Sequence, residues 1–466
     1  MFTKGQRIEL TVSDLSEGTK CFGKLDEGLA VFVHGPAAVG DRVAAKVFKI
    51  KKNYLEADLV DVLAPSPSRV KPVCSHFGVC GGCKWQHVVY AEQLRVKRKL
   101  VSDSLERIGG FRDVDVAAPI ASPRVFGYRN KMEFSFSNQR YLLEEEMGLQ
   151  EEALAKPMDF ALGFHSPGRF DKVVDIDLCP ISPDEMNAAL LLVKQFCRDR
   201  GLPAYSTRTH EGFLRHLMVR KAFATGEFMV NLVTSSHDAA LMRELDAALP
   251  REVTTFVNNV TTRKSNVAFG EQEFVIRGPG TITERLGRFQ FRISANSFFQ
   301  TNTGQAEILY RTVLEAAGLQ GGETVFDLYC GTGTIALLVS DHCRRVIGFE
   351  MEPSSIADAG KNAEFNGVGN CRFVHMDLKH LDHVADEPPD VVITDPPRAG
   401  MHPKVVEKLL EMKPRRIVYV SCNPASLARD AQILCAQGVY RLGHVQPVDL
   451  FPHTYHVESV AVLDRM

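Results

Sequence analysis

No apolar run in this 466-residue chain approaches the length of a membrane-spanning helix. Its first residues, Met1-Phe-Thr-Lys-Gly-Gln-Arg, carry no apolar signal region. The expectation is a cytoplasmic monomer with no membrane partner. No internal repeat or low-complexity segment is present. A disulfide framework is not indicated, because the eleven cysteines are odd in number and no secretory signal accompanies them. Metal binding or catalysis is the alternative use for such thiols. Net charge is also scarce, at a formal −2, whereas affinity for a phosphate backbone ordinarily needs basic surface. That average hides an asymmetry. Between Arg69 and Lys131 stand 12 Lys/Arg against 5 Asp/Glu, a local +7, which leaves −9 for the remainder.

The chain is long enough for two to four domains and a large core. Its C-terminal third reads as a nucleotide-type α/β pattern. Glu323-Thr-Val-Phe-Asp-Leu-Tyr-Cys is an apolar strand running into Gly331-Thr-Gly-Thr, a tight turn that opens an apolar helix. Glycines let a backbone approach a ligand, and the helix start offers free N–H groups. A second strand, Arg345-Val-Ile-Gly-Phe-Glu350, ends on a carboxylate about 20 residues later, where Rossmann-like folds hold ribose hydroxyls. The third glycine of dinucleotide binders is missing. S-adenosylmethionine fits this loop better than NAD. Two further strand patterns end on Asp395-Pro-Pro-Arg and on Ser421-Cys-Asn-Pro424, and 36 residues past Cys422 stands Glu458. Such strand ends face the crevice where open α/β sheets bind ligands. An arbitrary cysteine is more often a small buried hydrophobe, and an arbitrary glutamate an edge-strand carboxylate. Order and spacing favour a functional Cys422.

Phe298-Phe-Gln-Thr-Asn302, Asp327-Leu-Tyr-Cys-Gly-Thr-Gly-Thr334, Asp395-Pro-Pro-Arg-Ala-Gly400, Ser421-Cys-Asn-Pro424 and Pro452-His-Thr-Tyr-His-Val-Glu458 together resemble the ordered motif set of the RNA uracil-5-methyltransferases. The resemblance implies that Gln300, Tyr329, Gly331, Thr334, Glu350, Asp377 and Asp395 line the S-adenosylmethionine site. It implies Cys422 as nucleophile and Glu458 as general base. The chemistry suits those residue types. Uracil C5 is a poor nucleophile, and a thiolate added at C6 makes C5 reactive toward the sulfonium methyl. A carboxylate can then take the C5 proton. Cys422 would need a lowered pKa or a concerted proton acceptor, and the sequence identifies neither.

Cys74-Ser-His-Phe-Gly-Val-Cys80-Gly-Gly-Cys83 places three thiols within ten residues. Zinc and iron–sulfur clusters suit thiolates about equally. Resemblance to the iron–sulfur-bearing 23S rRNA branch of the family implies a [4Fe-4S] cluster, with Cys179 as its distant fourth ligand. Zinc is the structural alternative.

Five short alternating strands within residues 1–64 imply a small barrel, which resembles the oligonucleotide-binding TRAM domain. Arg42, Lys46, Lys49, Lys51 and Lys52 cluster on one hairpin, either as an RNA contact or as a solvated face. Arg95, Lys97, Arg98 and Lys99 form a second basic run. Trp85, Tyr90, Phe126 and Tyr128 could stack on unpaired bases, although individual aromatics like these are more often core.

The expected architecture is multidomain. A TRAM barrel over 1–64 precedes an α+β central iron–sulfur region over 65–285 and a Rossmann-like class I methyltransferase domain over 286–466. The central region reads as a helix over Gln93–Gly109, a strand from Lys131, a helix over Asp184–Asp199 and a hairpin over Leu214–Val233. The expected function is S-adenosylmethionine-dependent methylation of uracil C5 in structured RNA, with 23S rRNA first and tRNA second. An amino-group methyltransferase would leave Cys422 and Glu458 without a task. A noncatalytic iron–sulfur RNA-binding module would leave the cofactor motifs unexplained.

Overall fold

The computed structural model describes residues 2–16, 18, 20–264, 268–383 and 388–466. The chain divides into two compact units, each assembled from separated stretches. The first comprises 1–71, 84–123 and 304–466, and the second 72–83 and 124–303. No helix among the described residues is long and apolar enough to cross a membrane.

The first unit begins with strands β1 (Arg7–Leu15), β2 (Lys20–Lys24), β3 (Ala30–His34), β4 (Arg42–Ile50) and β5 (Tyr54–Ala64), closed into a barrel in the order β1-β2-β3-β5-β4. Period-two patterning puts Ile8, Leu10, Val12, Val31, Val33 and Leu55 inside. Closure leaves no unpaired edge. The barrel core extends to Trp85, Val88 and Val96, which belong to or flank helix α1 (Tyr90–Arg107). Residues 84–123, which the sequence reading places in a central region, thus pack with the first unit.

The second basic run is partnered within the fold. Arg95 pairs with Glu92 at 2.7 Å, and Arg98 donates to the carbonyl of Val116 at 2.8 Å. Lys99 pairs with Asp103 at 2.5 Å and Asp14 at 2.9 Å. Lys97 is fully buried against Asp449 at 2.5 Å. Arg95, Lys97 and Lys99 are thus paired with carboxylates, and Arg98 is tied to the backbone. Trp85 is 2% exposed and Tyr128 3%, so neither offers a face to a base. On the barrel hairpin, Arg42 pairs with Glu9 and Lys49 with Glu56, while Lys46, Lys51 and Lys52 are exposed.

The second unit is built on a seven-stranded sheet of order β12-β11-β10-β9-β6-β7-β8. Its strands are β6 (Lys131–Ser137), β7 (Ala161–Ser166), β8 (Arg169–Asp175), β9 (Leu214–Lys221), β10 (Phe228–Thr234), β11 (Thr255–Val260) and β12 (Gln272–Arg277). Helices α2 (Asp184–Asp199) and α3 (Ala239–Ala248) cover one face, with Leu190, Val193, Met242 and Leu245 meeting Phe134, Leu217 and Val230. A separate hairpin, β13 (Thr281–Leu286) and β14 (Phe289–Ser294), follows.

After α4 (Thr303–Ala317) comes a second seven-stranded sheet. It contains β15 (Thr324–Leu328), β16 (Arg345–Glu350), β17 (Cys371–His375), β18 (Val391–Thr394), β19 (Arg416–Ser421), β20 (Tyr440–Val448) and β21 (Glu458–Arg465). Helices α5 (Thr334–Ser340), α6 (Pro353–Phe365), α7 (Pro403–Met412) and α8 (Pro424–Cys435) connect them. The order is β17-β16-β15-β18-β19-β21-β20, with β21 antiparallel to both neighbours. Strands such as Thr-Val-Phe-Asp-Leu are buried throughout because a parallel sheet is covered on both faces. The order reverses between β15 and β18, which is where open α/β sheets bind ligands.

Candidate active site

The functional side chains are placed by where strands stop. Glu350 is the last residue of β16, Tyr329 follows β15, Asp395 follows β18, and Cys422 follows β19. Asp377 stands two residues past β17. In-register pairing of these strands brings the positions to one sheet edge. Gln300 belongs to the second unit, where its carbonyl accepts from Asn130 Nδ2 at 2.8 Å.

Tyr329 has φ 63 and Gly331 φ 53, so the chain reverses sharply after β15. A Cβ at Gly331 would meet no atom within 4 Å, so this glycine is required by its backbone conformation and faces open space. Gly333, with φ 81, is also hemmed by the Phe373 ring at 2.8 Å. Glu350 accepts from the N–H groups of Gly331 (3.2 Å), Met351 (2.8 Å) and Glu352 (2.9 Å), which fixes its carboxylate beside the loop. Thr334 opens α5, and Asp327 Oδ2 caps the same helix through Ala336 N–H at 2.9 Å. Asp377 accepts from the Lys379 N–H and ammonium, both at 3.1 Å, and these hold its carboxyl below the usual range.

At the other end of the edge, antiparallel register decides the geometry. Ser421 pairs with Ser459, so the next residue outward on each strand is Cys422 on one side and Glu458 on the other. Local sequence could not show this pairing. Burial pushes the Cys422 thiol up to about 11, with the charges of Glu458 and Asp395 adding and Arg398 opposing. Glu458 is 4% exposed, and burial, then Asp395, raises it to about 8, again opposed by Arg398. Asp395 retains some accessible surface at its strand end, yet its carboxylate is enclosed enough for burial to raise it to about 7. The Arg398 charge is outweighed, so the thiol stays raised. A raised thiol beside a raised carboxylate is instead suited to passing a proton between them or to a substrate.

Sequence reasoning leaves Arg398 out of the site, although the Asp-Pro-Pro-Arg turn that carries it is a recognisable signal. The structure places this cation near both Cys422 and Glu458, and its carbonyl accepts from Asn423 Nδ2 at 2.9 Å. An open cleft above the thiol is lined by Arg398, Asn423, Tyr455, His456 and Val457, with Leu100 and Ser104 from α1.

Cys74, Cys80, Cys83 and Cys179 lie in the second unit. Burial raises the Cys179 thiol to about 12, and the thiols of Cys83, Cys80 and Cys74 all lie near enough to contribute. Asn187 clasps Cys179, accepting from its N–H at 2.9 Å and donating to its carbonyl at 3.2 Å. Yet among the described residues no group of three or more His, Cys, Asp or Glu side chains is arranged to hold a metal ion. The four thiols share a neighbourhood without ligating geometry.

Comparison with known proteins follows the same division. The tRNA (uracil-5-)-methyltransferase family model matches residues 242–466, and the TRAM domain model matches 2–60. An uncharacterized RNA methyltransferase of Chlorobaculum tepidum is 53% identical across 100% of this chain and 97% of its own length. The chain belongs to the RNA uracil-5-methyltransferase family. A second RNA methyltransferase of that kind, from Porphyromonas gingivalis, is 42% identical over 98% of this chain and 99% of its own. Among solved structures, the Pyrococcus abyssi tRNA (uracil-54, C5)-methyltransferase in complex with S-adenosyl-L-homocysteine superposes with TM-score 0.74 and 32% identity, covering 98% of this chain and 100% of that one. The family's N-terminal module is therefore the closed five-stranded barrel, and its catalytic fold is the sheet that carries Cys422 and Glu458.

Proposed function

We propose that this methyltransferase transfers the methyl group of S-adenosylmethionine to C5 of a uridine in 23S rRNA through a covalent Cys422 adduct. The observation that carries the reading is the Ser421–Ser459 register, which sets a thiol and a buried carboxylate side by side on the edge that also bears the glycine loop, Glu350 and Asp395. Tyr329, Gly331, Thr334, Glu350, Asp377 and Asp395 are the groups proposed to bind the methyl donor, and Gln300 is proposed as a further one from its place in the Phe-Phe-Gln-Thr-Asn motif. Cys422 loses its proton to solvent and adds as thiolate to uracil C6, and the ring electrons move to C5 and O4. C5 then takes the methyl group, and S-adenosylhomocysteine departs with the C–S bonding pair. Glu458 removes the C5 proton, the C5–C6 double bond re-forms, and the C6–S bond breaks to return the thiolate. Arg398 stabilises negative charge at both groups, lowering the Cys422 thiol and the Glu458 carboxyl against the larger effect of burial.

Cys74, Cys80, Cys83 and Cys179, whose thiols share one neighbourhood, are proposed to hold [4Fe-4S] on the chemistry of a four-thiol donor set. Such a cluster would crosslink the three-cysteine loop to the connection between β8 and α2, since methyl transfer itself needs no electron. The proposed division of labour is RNA binding by 1–64, the cluster within 65–285 and catalysis by 286–466. A tRNA target is the second reading, favoured by the likeness to the Pyrococcus abyssi tRNA (uracil-54, C5)-methyltransferase.

The test uses 23S rRNA and bulk tRNA transcripts carrying 5-fluorouridine, whose fluorine cannot leave as a proton does. A denaturation-resistant complex with the 23S transcript, lost in Cys422→Ala, is expected. Trapping by Cys422→Ala would refute the nucleophile, and trapping of tRNA alone would refute the ribosomal target.

A further inference from the structure

Glu458 begins β21, and the loop that delivers it, residues 449–457, forms one wall of the cleft above Cys422. This loop is held largely from outside itself. The backbone N–H groups of Lys84 and Trp85 both donate to the carbonyl of His453, at 2.8 and 2.9 Å. Gln93, fully buried, accepts from the His453 N–H at 2.8 Å and lies 3.3 Å from His453 Nδ1 through its amide nitrogen. The same amide nitrogen donates to the carbonyls of Trp85 (3.1 Å) and Val88 (2.8 Å), so the clasp is itself braced. Lys97 donates to Asp449 at 2.5 Å and to the carbonyl of Phe451 at 3.0 Å, and Tyr90 donates to the other Asp449 oxygen at 2.7 Å. The loop is therefore gripped at its start and its middle by a segment some 350 residues away in sequence. His453 is held at φ 67, a left-handed conformation that a side-chain-bearing residue keeps only when its surroundings impose it.

We propose that residues 84–97 are a positioning clamp for the catalytic base, with Gln93 and the Lys97–Asp449 pair as its positioning residues. They touch neither the thiol nor the methyl donor's proposed site. They set where the loop ends, and so where Glu458 meets the C5 proton of the adduct. The inference rests on the covalent reading above. A clamp of this kind governs one step: loosening it leaves thiol addition and methyl transfer in place and slows proton removal. A group misplaced by about 1 Å can cost 10²-fold in rate.

The experiment follows single turnovers of RNA carrying [5-³H]uridine with methyl-labelled S-adenosylmethionine, on a transcript that wild-type enzyme methylates. Methyl incorporation and tritium release are recorded together. The variants are Gln93→Met, which removes the His453 clasp, and Lys97→Met/Asp449→Asn, which removes both buried charges without orphaning either. Wild type is expected to release tritium in step with methylation. Each clamp variant should incorporate methyl near the wild-type rate, release tritium about 10- to 100-fold more slowly and accumulate methylated RNA bound to protein. A variant that merely unfolds in part would lower both signals together, and that outcome in both variants overturns the clamp. So does tritium release in step with methylation in both. Absence of any covalent species in wild type on 5-fluorouridine RNA would instead overturn the adduct reading, and the clamp's role with it.

Discussion

Replacing Glu458 by Gln is expected to stabilise the protein while disabling it. In the folded chain the carboxyl is 4% exposed and raised from 4.5 to about 8, so folding favours its protonated form. The stability this contributes is fully present below about pH 4.5 and is lost as pH rises toward 8. At pH 7 the unfolded chain ionises Glu458 freely and the folded chain does not, a difference on the order of 3 kcal/mol against the fold. Above pH 8.5 it approaches 4 to 5 kcal/mol, again to order of magnitude. Glutamine keeps the shape and has no proton to lose. The melting temperature of Glu458→Gln minus that of wild type should thus be near zero at pH 4.5, grow through neutrality and level off above pH 8.5. A gain of several degrees at pH 7 follows from about 2–4 °C per kcal/mol for a folding unit of this size. Scanning fluorimetry across pH 4.5–9 reads it directly. A flat difference, or one that shrinks with rising pH, would refute the reasoning that burial of this carboxyl opposes folding.

Alkylation of Cys422 by iodoacetamide, followed by peptide mass spectrometry, should titrate near 11 in wild type and at lower pH in Glu458→Gln and Asp395→Asn, because each substitution removes a charge that raises the thiol. An unmoved titration would show those charges to be ineffective. Anaerobically purified protein should contain iron and acid-labile sulfide, and Cys179→Ser should lose both; stoichiometric zinc without sulfide would replace the cluster assignment. Removing the exposed barrel lysines Lys46, Lys51 and Lys52 should weaken RNA binding uniformly across sequences and reduce the salt dependence of affinity by about one charge for each lysine that meets a phosphate. Salt dependence equal to that of wild type would move the RNA surface elsewhere.

The parts of this molecule legible in sequence are those whose meaning is local. Five alternating strands announced the barrel, and Lys131, Asp184 and Asp199 marked element ends that the structure repeats, because period and turn residues act over a few positions. Strand ends of a parallel sheet likewise carry their own signal: an apolar run that stops on Glu350, Asp395 or Cys422 places that residue on a known edge. Long-range pairing was not legible. That Glu458 lies beside Cys422 depends on β21 entering antiparallel, in a register no nearby residue dictates. Within the basic run at 95–99, the pairing of Lys97 with Asp449 and of Lys99 with Asp14 was not legible because those partners are distant in sequence. Residues 84–123 read as central for the same reason, since the helix that carries Val101 and Leu105 packs on α8 and β20.

The discontinuity of the first unit has a consequence for the birth of the chain. Its barrel can close once residue 64 is available, but the apolar face of α1 at Val101 and Leu105 must wait for strands that include Leu442 and Leu463. At about 5–20 residues per second that is roughly 20 to 70 s of synthesis. Lys97 waits as long for Asp449, solvated until its partner arrives. A nascent chain halted before α8 would leave this face of the helix without its apolar partners, and the ribosome-bound protein is vulnerable to aggregation over that interval.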